Sequence, residues 1–328
     1  MRQIHALFIL GLASTASAQV SGLTGTIIVT NKTPSTATII DVASGRALAT
    51  LPTGPGPHEI TLSKDGRLAV VTNYGAPPRN TLTVIDVPGI KVARTIDLGT
   101  YTAPHGIHFL AGDSVVALTS ESTGNVVLVN VIEGAVRRAI ATNGRGSHMV
   151  GVTADGGRGF TGNMQSNTVS ELDLRGGQLV REIAVPERPE AINVTADGAE
   201  VWVGSNTSGK VSAIDVKRWS VTTVGEGFKW PYRMLFSPDL KTAFIPDMTN
   251  EDLRFFDRVS KRELGKIEMP GAGPQGITIT PDGRYVLLSL SKQAKVVVVD
   301  ARSRTVLGYI PAGETPDGIV YTTRVFNR

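Results

Sequence analysis

"GPGPHEITLSKDGRLAVVTNYGAPPRNTLTVIDVPGIKVARTIDL" occupies residues 54–98. A Gly/Pro break leads into a short strand that opens at His58. Lys64-Asp65-Gly66 turns the chain, and Leu68–Thr72 runs back as a second strand. "TLTVIDV" and "KVARTIDL" follow as third and fourth β-rich runs. Short apolar-rich runs of this kind, separated by Gly, Pro and Asp-Gly punctuation, read as consecutive antiparallel strands.

The unit recurs. "SKDG" (63–66) returns as "TADG" (153–156), "TADG" (195–198), "SPDL" (237–240) and "TPDG" (280–283), with "LAGD" (110–113) as a looser copy. Each turn is followed by the same three runs, and then by another Gly/Pro break. Four strands per unit, at a spacing near that of propeller repeats, predict an all-β propeller. "GTIIVTN", "TATIIDV" and "ALATLPT" (residues 25–53) supply three strands without a first. "DGIVYTT" (317–323) supplies a first strand with no successor. Pairing the two ends completes a seventh four-stranded antiparallel blade and removes an open sheet edge. The expectation is one seven-bladed domain over 19–328.

Residues 1–18 are set apart from that fold. Arg2, the apolar run Ala6–Ala13 and Ala16-Ser17-Ala18 have the layout of a cleavable secretory signal cut after Ala18. The run is too short to span a bilayer. A periplasmic or secreted protein without a membrane span is expected. The chain has no cysteine, so no disulfide supports it and covalent c-type haem is excluded. Net charge is +4 with scattered basic residues, which argues against nucleic acid as a partner.

"VVTNYG", "IIVTN", "TPDGRYV" and "TVIDV" resemble the YVTN β-propeller repeat family over nearly the whole chain after residue 18. The chain also resembles the haem-domain-like propellers of the cytochrome d1 superfamily. The resemblance implies the fold and leaves the chemistry open, because propellers serve many functions.

The residues at the mouths of the seven first strands are His58, His105, His148, Glu190, Tyr232, Gln275 and Asp317. First strands line a propeller's channel, so these positions predict a ring at one end of it. Three of the four histidines beyond residue 18 fall on consecutive blades, in the order Asp317–His58–His105–His148–Glu190. Imidazoles joined by carboxylate are the donor set of a transition metal. His58, His105 and His148 are the expected ligands, with Glu190 as fourth ligand or as base and Asp317 behind His58. Iron, zinc, copper and manganese all fit that set. His108, three residues along from His105, is a second proton carrier, and Arg233 a cation directed toward the mouth beside Tyr232. Asn73, Asn163 and Asp247 end second strands at the same mouth, where they and Tyr232 would contact a ligand. Glu121 reads as a solvated loop acid within reach of it.

The same residues also fit a wet channel whose polar lining is satisfied by water. Glu59 is expected to face an adjacent blade, and Trp202, Trp219 and Trp230 to pack. Asp65, Asp155, Asp197 and Asp282 read as turn formers at the opposite end. Three functions follow: a metal-dependent hydrolase, lactonase or lyase acting on a small molecule; a non-catalytic propeller binding a small ligand or an exported protein partner; and a noncovalent haem binder.

Overall fold

The computed structural model describes residues 20–326. The signal reading at 1–18 lies outside the described residues. Seven four-stranded antiparallel sheets form the ring. Blade one is built from Pro57–Leu62, Leu68–Asn73, Thr81–Asp86 and Lys91–Asp97. Blades two to six repeat this order. The closing blade joins Pro316–Thr322 to Thr26–Asn31, Thr36–Asp41 and Arg46–Pro52, with Ile28 opposite Val320. The two ends of the chain therefore share one sheet, as the sequence predicts.

Burial follows strand position. Second and third strands are sandwiched between neighbouring blades, and runs such as LAVVTN and TLTVID are buried almost throughout. Fourth strands lie outermost and alternate, as in QLVREIA. The core is accordingly a set of inter-blade layers. In one of them Val70, Leu82 and Ile96 of blade one pack on Ile107, Val116 and Val127 of blade two.

The Asp-Gly turns behave as read. The hydroxyls of Ser63, Thr153, Thr195, Ser237 and Thr280 donate to the carboxylates of Asp65, Asp155, Asp197, Asp239 and Asp282. Each carboxylate also accepts a backbone N–H two residues on. In the looser copy, Asp113 reaches across to blade one and accepts from the N–H groups of Lys64 and Asp65 at 2.7 and 3.2 Å. Blade five departs from the pattern. Its first strand is regular only at Leu235–Phe236, and Pro231 makes an isolated bridge to Asp247. Proline has no N–H for a ladder.

First strands crowd the axis. A Cβ added at Gly106 would lie 2.6 Å from the backbone nitrogen of Val150, and one at Gly318 would lie 2.5 Å from the carbonyl oxygen of His58. At Gly151 the nearest such approach is 3.1 Å. Gly106→Ala should lower stability by about 1–3 kcal/mol, and Gly151→Ala by clearly less. Urea unfolding of the two variants beside the native chain checks the order.

Candidate functional site

Most first strands carry a register shift just past the mouth, between Pro57 and Ile60, Pro104 and Ile107, Ser147 and Val150, Pro189 and Ala191, and Pro274 and Ile277. Such bulges re-aim side chains. His58 thereby stays at the mouth while Glu59 also enters the channel and pairs with Arg233 from blade five. The sequence predicts Glu59 against an adjacent blade; the register shift between Pro57 and Ile60 brings it to Arg233 instead.

The three histidines do meet. Ring centres of His58 and His105 are 4.2 Å apart at 55°, and those of His105 and His148 are 3.6 Å apart at 30°. His105 is completely buried; its Nδ1 lies 3.2 Å from the sulfur of Met149, and its Nε2 has no partner. Burial, followed by the positive charge available to His148 and His58, holds its pKa well below the ordinary imidazole value. The outer imidazoles are braced by carboxylates. His58 Nδ1 is 2.7 Å from Asp317 Oδ2, and His148 Nδ1 is 2.9 Å from Glu121 Oε2.

Asp317, fully buried, also meets Lys32 Nζ at 2.9 Å. Burial opposes its charge, but Lys32 and His58 outweigh it and hold the carboxyl far below the usual range. Glu121 is likewise opposed by burial, yet His148 and Tyr74 keep its pKa low. The Tyr74 hydroxyl donates to Glu121 Oε2 at 2.7 Å, and burial with that carboxylate pushes the phenol upward. The Tyr74 ring stands edge-on to His58 and His105, with centres at 5.4 and 4.9 Å. Glu190 accepts from Asn206 and from the Trp230 indole, and lies 3.9 Å from His148 Nε2. Trp230, read as packing, is thus part of the mouth.

His58, Tyr74, Glu121, His148, Glu190 and Trp230 border a cavity of about 320 Å³, with Lys32, Arg188, Tyr232 and Gln275 on its rim; His105 and Asp317 are buried behind that lining. Among the described residues, a close trio of acid and imidazole donor atoms, all within 4.8 Å, comes from His58, Glu59 and His105. The trio differs from the expected one. Two imidazoles on one ion, with bonds of about 2.1 Å, hold their ring centres roughly 4.6 Å apart at a right angle and about 5.3 Å apart at the tetrahedral angle. His58 and His105, at 4.2 Å, fall short of that spacing, and His148 is stacked closer still on His105, so the rings must move apart to share an ion.

Five sequence-predicted residues fall elsewhere. Asn73 donates to Thr81 and Thr83, and Asn163 to Thr168 and Ser170, so both are spent inside their blades. Asn31 does the same with Thr36 and Thr38. Asp247, fully buried, accepts the backbone N–H groups of Lys229, Trp230, Thr249 and Asn250. His108 lines a second cavity at the other end of the channel. Arg233, the expected mouth cation, lies over the Tyr232 ring at 4.0 Å and borders that second cavity too. The residues that enter the mouth come one position after the strand ends: Lys32, Tyr74, Glu121, Met164 and Met248. A one-residue step reverses the face of a strand, so the same repeat alignment shifted by one would have found them.

No family model matches the sequence, and no curated protein matches it. Solved structures share the fold. Kuenenia stuttgartiensis hydrazine synthase aligns over 96% of this chain and 99% of that one, with a TM-score of 0.71 and 16% identity. Dihydro-heme d1 dehydrogenase NirN, solved in complex with DHE, aligns over 91% and 75%, with a TM-score of 0.67 and 17% identity. A protein of unknown function from Desulfotomaculum acetoxidans DSM 771 aligns over 90% and 98%, with a TM-score of 0.74 and 16% identity. At these identities the likeness is one of fold.

Asp317 ionises more readily folded than unfolded, so its contribution is complete above the unfolded pKa of 3.8 and fades as pH falls toward the lower folded value. Asp317→Asn should therefore be clearly less stable than the native chain at neutral pH. The gap should persist down to about pH 4 and narrow only below it. Thermal melts of both proteins across that range test this.

Proposed function

We propose that the channel mouth is a small-molecule site organised by a transition-metal ion held on imidazole nitrogen. The observation that carries this reading is His105 Nε2, buried and unpartnered between His148, whose Nδ1 is hydrogen-bonded to Glu121, and His58, whose Nδ1 lies 2.7 Å from Asp317 without an aligned hydrogen bond. A carboxylate behind a histidine fixes the ring and raises its basicity toward a metal. The low pKa of His105 leaves its lone pair free at neutral pH. His58 and His105 hold the ion, Glu59 is the nearest acid, and His148 completes the set by leaving its stack.

A bound ion would supply Lewis acidity and activate water. The chain's own residues supply the rest. Lys32, already paired with Asp317, and Arg188 share the rim with Glu121 and Glu190, a mixed lining that suits a polar substrate. Tyr74, Glu121 and His148 form a continuous hydrogen-bonded path for a proton. Glu190, beside His148, is the group placed to act as base in a hydrolase, lactonase or lyase reaction. The YVTN-like motifs fit such a scaffold, and the leader-like residues 1–18 make an exported setting part of this reading. A porphyrin would need the 320 Å³ mouth to widen.

Untagged protein titrated calorimetrically with zinc, manganese, copper or iron(II) should bind one ion per chain. His105→Ala should abolish binding, while Asp317→Asn and Glu121→Gln should weaken it by about 10- to 100-fold. Absence of saturable binding by each of these ions would overturn the metal reading, and a Soret band on haem addition would replace it with the haem one. Where metal binds, Glu190→Gln separates enzyme from binding protein: an enzyme loses turnover of a test lactone or ester while keeping its ion.

A further inference from the structure

The outer edge of each blade is its fourth strand, whose far side has no neighbour in the sheet. Such edges invite pairing with another chain, and charged side chains are a common guard against it. Five of the seven fourth strands carry charge, with Arg46, Arg94, Arg137, Arg181 and Lys266 as examples. Ser220–Gly225 has no charge and offers mostly hydroxyl groups. Thr305–Pro311 of blade six, TVLGYIP, has no charge and is almost wholly apolar. Among the described residues seven large hydrophobic side chains are exposed, and Val306, Leu307 and Tyr309 are three of them. The Tyr309 ring already carries the Lys295 ammonium at 5.6 Å.

The charge lies at the two ends of this strand. Arg302 and Arg304 precede it and Glu314 follows it, all three exposed. Among the described residues, none of these three side chains has an ion-pair partner in its own chain. Antiparallel pairing of the strand with a second copy of itself brings each basic end beside the other copy's acidic end. Backbone direction sets the register. The Ala312 N–H donates inward to Ala294. Alternation along the strand therefore turns the neighbouring even positions inward and the odd ones outward. A two-fold axis beside position 309, midway between 304 and 314, sets Arg304 of each copy opposite Glu314 of the other. The register shift between Val298 and Val299, with Pro311, which has no N–H, confines backbone pairing to the middle of the strand. The interface is small, and association through it is weak.

We propose that the outer edge of blade six is a dimer interface, and that its partner is a second copy of this chain related by a two-fold axis. Such an interface presents the same patch from both copies. Val306 and Leu307 lose water on pairing, and two Arg304–Glu314 pairs fix the alignment. The proposal stands independently of the channel mouth.

Sedimentation equilibrium of the purified protein tests it. A reversible monomer–dimer equilibrium is expected, with a dissociation constant on the order of 10–100 µM. Leu307→Lys places like charges in both halves of the interface and should weaken association at least about tenfold. Arg304→Glu and Glu314→Arg should each weaken it by about three- to tenfold. Combining these two reverses both pairs and should restore association to within about threefold of the native chain. Val180→Lys, on the fourth strand of blade three, should leave it unchanged. All the altered side chains are exposed, and circular dichroism establishes that each variant is folded. A native chain that stays monomeric up to about 500 µM, a dimer indifferent to Leu307→Lys, or a double variant no better than the single ones would each overturn the proposal.

Discussion

Backbone meets backbone along the axis of this ring, and the rest of the molecule is arranged around that crowding. Glycines at 106 and 318 are required because neighbouring first strands leave no room for a side chain there. The bulges beside them send successive residues into the channel, so charged groups enter a space with little water. Such charges persist only when paired and hydrogen-bonded. Glu59 has Arg233, and Asp317 has Lys32 and His58. The channel is thus divided at mid-depth by an ionic layer, with the histidine-lined mouth on one side and a mixed isoleucine and polar chamber on the other.

That layering divides the chemistry. Above it, the imidazoles are neutral or carboxylate-braced, and their neighbours are Tyr74, Glu121, Glu190 and Lys32. Below it, isoleucines from five blades alternate with polar groups such as Thr61, His108, Asn193 and Thr278. Both chambers are built from the same seven strands, and they differ because each first strand changes character within a few residues, as His58-Glu59-Ile60 shows.

The ring was largely legible in the sequence, because each repeat states its own strands, turns and breaks, and the incomplete first and last units fit only each other. The position of His58, His105 and His148 at one mouth followed from the same alignment. Other parts did not follow. Glu59 was misplaced because a bulge cannot be seen in an alternating pattern. The repeat alignment predicts Asn73 and Asn163 as ligand contacts, whereas their amides tie second strands to third. Tyr74 and Lys32 were missed by one residue. Arg233 and His108 needed the depth of the channel, which repeat spacing does not encode. Blade five hid its irregular first strand behind Pro231 and the hydrogen bonds gathered by Asp247.

The closing blade joins Pro316–Thr322 to Thr26–Asn31. That sheet can form only when these two distant segments meet. The other six blades are each continuous in sequence and can form without it, but until the segments meet an unpaired sheet edge stands open. The contacts that seal the wheel span nearly the entire polypeptide, which makes this final step slow compared with local hairpins. A nearly finished circle with an open edge would thus lie exposed to partners, chaperones and proteases until those two segments clasp.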